Sequence, residues 1–65
     1  MNYKKKLKER YKRTRKIIEL DQKYLEDFGS MLTDDAKAIM QAEIDLLIMQ
    51  KLDIEDEAKK AGVIL

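Results

Sequence analysis

The residues best equipped for chemistry lie at the start of the chain. The stretch KKKLKERYKRTRK, residues 4–16, holds nine Lys/Arg against a single acid, Glu9. A cluster of this density is the electrostatic footprint of a surface that binds polyanions, because neutralising phosphates releases their condensed counterions. Lys5, Lys6, Lys12, Arg13 and Lys16 are expected to point away from the rest of the fold. Lys8, Arg10 and Arg15 flank the packed side. Tyr3 could stack on a base, whereas Tyr11 falls on the packed side. Two other readings compete. Asp53, Asp56 and Glu57 could absorb Lys8, Arg10 and either Lys4 or Arg15, leaving a solvated remainder. Alternatively the basic surface meets an anionic protein.

Other chemistries find little to work with. The chain has no Cys and no His, which removes disulfides, zinc fingers, thiol nucleophiles and imidazole bases. The acidic run Asp53-Ile54-Glu55-Asp56-Glu57 lacks the shaped loop that hard cations need. We read it as a solvated face or as partners for the basic end, and expect no metal site and no cofactor. Asp34-Asp35 read as helix-start acids, and Ser30 and Thr33 as turn and cap residues. Without a phosphate-cradling glycine loop or an evident cleft, catalysis is not expected.

These residues must be positioned by helices. Proline is absent, glycine occurs only at Gly29 and Gly62, and the intervening residues are mostly good helix formers. Gly29 suits a left-handed helix stop, Thr33 an N-cap and Gly62 a second stop. The spacing predicts helices over about 3–28 and 34–61, a loop at about 29–33 and an apolar tail at 62–65, all in one domain. So short a loop makes the helices antiparallel neighbours. Val63 or Ile64 is expected to fold back towards Ala58; a tail that docks on a partner is the alternative.

The seam can be read from the 3-4 spacing. It runs Leu7, Tyr11, Thr14, Ile18, Asp21, Leu25, Phe28 on the first helix and Met40, Ile44, Leu47, Lys51, Ile54, Ala58, Ala61 on the second. Folding about the loop sets Ile18 near Ile44, Thr14 near Leu47 and Leu7 near Ile54. A second stripe remains on each helix: Ile39, Ala42, Leu46 and Met49 on one, Ile17, Leu20 and Tyr24 on the other. Contiguous exposed apolar residues on a small chain mark an interface; the competing reading makes them the edge of one wide core. We therefore expect an all-α antiparallel two-helix hairpin that self-associates, as a homodimer or higher oligomer, into a four-helix bundle.

The longest apolar run has four residues, Leu46 to Met49, too short to cross a bilayer. A soluble cytoplasmic protein with no membrane partner is expected. The function expected is stoichiometric: a small nucleic-acid-binding regulatory protein acting as an oligomer through its basic helix. The alternatives are a protein-interaction module, such as an adaptor or a phage- or plasmid-type inhibitor of a host protein, and a purely structural helical bundle.

Overall fold

The first helix begins where Asn2 can cap it. Its side-chain oxygen accepts the backbone N–H of Lys5 at 3.3 Å, meeting one of the donors that a helix start leaves unpaired. The computed structural model describes residues 2–65. Helix α1 spans Tyr3–Phe28 and helix α2 spans Asp34–Ala61, and they pack against each other along their length as an antiparallel hairpin. No strand forms among the described residues, and no helix there is long and apolar enough to cross a membrane.

The chain reverses through a 3-10 turn, Gly29–Met31, followed by extended Leu32 and Thr33. Thr33 then caps α2: its hydroxyl oxygen accepts the Ala36 N–H at 3.1 Å. Asp34 and Asp35 sit in the first turn, where the helix dipole favours carboxylates. One expectation fails in this loop. Gly29 is not left-handed but right-handed helical, with φ −56° and ψ −35°. The 3-10 turn carries the chain one step further along the axis of α1 before it reverses, so no left-handed stop is needed. Gly62 does take that role, at φ 70°. Behind it the Val63 N–H donates to the Ala58 carbonyl at 2.8 Å, and the Val63 side chain is buried beside Ala58.

Long side chains also reach across between the two helices. Tyr11 bonds Glu55 and Arg10 pairs with Glu57, so residues whose numbers sum to about 66 lie level. Leu7 keeps its contact with Ile54, in a cluster with Ala58 and Val63. Further up, Ile18 shares a groove with Ile48 and Lys51, and Ile44, one turn from Ile48 on the same face of α2, is buried like Ile18. Phe28 and Ala61 leave the seam and are exposed, the first because the turn after it swings away and the second because the tail takes its place.

The resulting core is thin. Leu7, Ile18, Ile44, Ile54, Ala58 and Val63 are its buried apolar residues. Outside it, Ile39, Ala42, Leu46, Met49, Leu20 and Tyr24 are exposed, and Ile17 is 39% exposed. The chain by itself does not enclose them as the edge of a wider core. The hairpin is a rod of 43 × 16 × 15 Å with a radius of gyration of 14.5 Å, against about 11 Å for a compact domain of this length. Its accessible surface is 5332 Å², whereas a compact monomer of this mass shows about 4300 Å². The excess is roughly the area that each partner buries in an ordinary protein interface, about 800 Å².

Candidate nucleic-acid interface

On α1 an i,i+4 row of lysines, Lys4, Lys8, Lys12 and Lys16, runs up one side of the helix. Each step places like charges on adjacent turns, which destabilises an isolated helix by about 0.2–0.5 kcal/mol per pair. The first turn of α1 holds no acid, so the cationic helix start also opposes the dipole. A purely structural helix gains nothing from this pattern; an anion in contact would relieve it.

Halfway up, this side deepens into a cleft of about 360 Å³ lined by Lys8, Lys12, Arg15, Lys16 and Tyr11, with Glu19 and Leu65 at its edge. Four cationic side chains face one acidic side chain. The Arg15 guanidinium lies over the Tyr11 ring, 5.6 Å from its centroid. The Tyr11 hydroxyl donates to Glu55 Oε2 at 2.6 Å. That bond, then burial and the nearby Glu55 charge, raise the Tyr11 pKa above its ordinary 10.0, with Arg15 pulling the other way. Tyr11 therefore stays a neutral donor at physiological pH, and its ring forms a fixed wall of the cleft.

The acids of α2 do not neutralise this site. Among the described residues the ion pairs are Arg10–Glu57 at 3.8 Å, Lys51–Glu55 at 4.0 Å and Lys60–Asp56 at 2.9 Å. Glu55 is held by Tyr11 and Lys51, and Asp56 by Lys60. Of the expected absorption by Asp53, Asp56 and Glu57, only Arg10–Glu57 forms; Lys8, Lys4 and Arg15 have no carboxylate within 4.0 Å among the described residues. The reason is local: the i,i+4 partner Lys60 reaches Asp56 more easily than a residue of the facing helix does.

Comparison with protein families, curated proteins and solved structures finds no match to this chain. The site therefore rests on its own geometry.

The basic residues divide between two sides of α1. Lys8, Lys12, Arg15 and Lys16 meet at the cleft. Helical spacing puts Lys6, Arg10 and Arg13 on the opposite flank, where Arg10 reaches Glu57, and Lys5 on the outer side in line with Lys12 and Lys16. Sequence spacing does not reveal the part played by Tyr11. It places this residue in the seam, where its ring is indeed half-buried, but the hydroxyl and the Arg15 contact depend on a helix register that only the loop decides. No cluster of acidic residues suited to a metal ion occurs among the described residues.

Proposed function

We propose that the protein is a stoichiometric nucleic-acid-binding hairpin that works as a self-associated unit and contacts phosphates through the basic cleft of α1. One observation carries this reading. Of the nine cations in residues 4–16, only Arg10 has a carboxylate within 4.0 Å among the described residues. Like charges are thus held together on a rigid helix at an energetic disadvantage that phosphate oxygens would reverse. Phosphate contacts position a ligand without reading its sequence, so binding is expected to depend strongly on salt and weakly on base order.

The test is fluorescence anisotropy with mixed-sequence DNA and RNA oligonucleotides over a salt series. Four phosphate contacts give a slope of about −3.6 on duplex, or roughly a hundredfold loss of affinity between 50 and 200 mM salt. Replacing Lys8, Lys12, Arg15 and Lys16 with Gln should abolish binding and leave helix content intact. Absence of binding by the wild-type protein at 50 mM salt would refute the proposal. The second reading, a protein-interaction module, is favoured by the exposed apolar residues on both helices, such as Leu46 and Met49, and would then take the lead.

A further inference from the structure

One lateral face of α1 carries Lys6, Arg10, Arg13, Ile17, Asp21, Tyr24 and Phe28, residues that the helical repeat places in a single stripe. Their spacings, 4-3-4-4-3-4, read the same in both directions from Ile17. If two such faces meet antiparallel about a two-fold axis at Ile17, residues whose numbers sum to 34 come opposite each other. Ile17 then meets Ile17, Arg13 meets Asp21, Arg10 meets Tyr24 and Lys6 meets Phe28. These are in turn an apolar contact, an ion pair and two cations over aromatic rings. Parallel pairing would set Arg13 on Arg13 and Asp21 on Asp21.

We propose that the occupant of this face is a second copy of the chain, docked antiparallel with α1 against α1. Three further observations support a second copy. Beside the stripe lies a groove of about 320 Å³ lined by Ile17, Asp21, Glu43, Leu46, Leu47 and Gln50. It has apolar walls and two carboxylates, but no cation in its lining, and neither Asp21 nor Glu43 has an ion pair among the described residues. Arg13 of a second copy supplies the missing charge.

The poles of the rod are also complementary. In the half near the loop, residues 19–45, eight acids face two Lys, a net charge of −6. In the other half, residues 1–18 and 46–65, twelve Lys/Arg face five acids, a net of +7. Antiparallel packing sets opposite poles side by side. Finally, the single hairpin exposes more surface than a compact monomer of its mass, enough to supply an interface of ordinary size. On α2 the same operation brings Glu43 level with the second copy's Glu55 and Asp45 level with its Asp53, like charges that favour a contact carried by α1 with the α2 helices further apart. The cleft of Lys8, Lys12, Arg15 and Lys16 stays open on the far side of each copy.

This inference rests on the self-association proposed above, not on the nucleic-acid contact. The experiment is a pair of charge reversals, Arg13→Asp and Asp21→Arg, with mass measured by sedimentation and folding by circular dichroism. Each variant alone sets like charges opposite each other and should self-associate at least about tenfold more weakly than wild type. Mixed together, Arg13→Asp and Asp21→Arg restore both cross pairs and should form a heterodimer. The chain has no Cys, so Ile17→Cys adds a unique thiol that should oxidise to a disulfide-linked dimer even if a charge variant fails to fold. A wild-type monomer at high concentration overturns the inference and the oligomer together. A wild-type dimer whose reversals do not complement, or an Ile17→Cys variant whose thiols do not join, overturns the antiparallel arrangement alone. Nucleic-acid binding by the Arg13→Asp variant, measured at 50 mM salt, reports on the cleft separately.

Discussion

The two glycines of the hairpin should respond to the same substitution with opposite signs. Gly29 is right-handed helical, and a Cβ built there meets no atom within 4 Å. Gly29→Ala should stabilise the fold by about 0.4–1 kcal/mol, by narrowing the unfolded ensemble at no native strain. A Cβ at Gly62 also has room, but φ is 70° there, a left-handed conformation that an L-residue adopts at a cost of about 1–2 kcal/mol. Part of that cost is offset by the same entropic gain, leaving Gly62→Ala less stable than wild type by about 1 kcal/mol. The entropic gain cancels between the two, so they should differ by the strain alone, about 1–2 kcal/mol, or roughly 4–16 °C in Tm for a domain of this size. Thermal melts followed by circular dichroism at one fixed protein concentration measure this directly, since self-association would otherwise shift the midpoint. Shifts of the same sign, or a destabilised Gly29→Ala, would contradict the loop conformation and with it the helix register.

Three other perturbations bear on the site and its support. Lys12→Gln removes the Lys8–Lys12 and Lys12–Lys16 repulsions, so at low salt it should raise stability by about 0.4–1 kcal/mol while weakening polyanion binding; urea melts at low and high salt should show the gain vanish as screening rises. Tyr11 has a folded pKa above 10.0, so its contribution is present below the unfolded pKa and is lost as pH rises through the folded one. Stability should thus fall in alkali beyond about pH 10, and Tyr11→Phe should lose part of that dependence, as read from urea midpoints across the pH range; Lys60, whose pKa is raised by its hydrogen bond to Asp56, contributes in the same direction. Ile44 is 1% exposed, and Ile44→Ala should cost about 2–5 kcal/mol, enough to unfold so thin a core at moderate temperature; a cooperative melt close to wild type would contradict its buried place.

Much of the architecture was legible because it depends on local signals. Thr33 with Asp34 and Asp35 announces the start of α2, Gly62 announces its end, and the absence of proline leaves each helix uninterrupted. The seam was legible too, since Leu7, Ile18, Ile44 and Ile54 recur at helical spacing and are buried. The loop was not. Whether Gly29 turns left-handed or enters a 3-10 turn depends on how Leu32 and Thr33 close the reversal, and composition does not record that. The register follows from the loop, and the Tyr11–Glu55 bond follows from the register. The basic residues could be counted in advance, but the gathering of Lys8, Lys12, Arg15 and Lys16 with Tyr11 into one cleft required that geometry.

The unequal spread of charge along the rod has a consequence for how the molecule travels. A single hairpin with one cationic and one anionic end feels a torque in any non-uniform field and turns its cationic end towards an anionic surface, whereas two hairpins packed antiparallel as proposed largely cancel that torque. Under the nucleic-acid contact proposed above, a lone hairpin would be captured with its lysine-bearing end leading, faster than an evenly charged particle with the same total of +1. Added electrolyte shortens the reach of that torque to the thickness of the ion atmosphere, so the earliest step of the encounter slows before any bound contact is weakened.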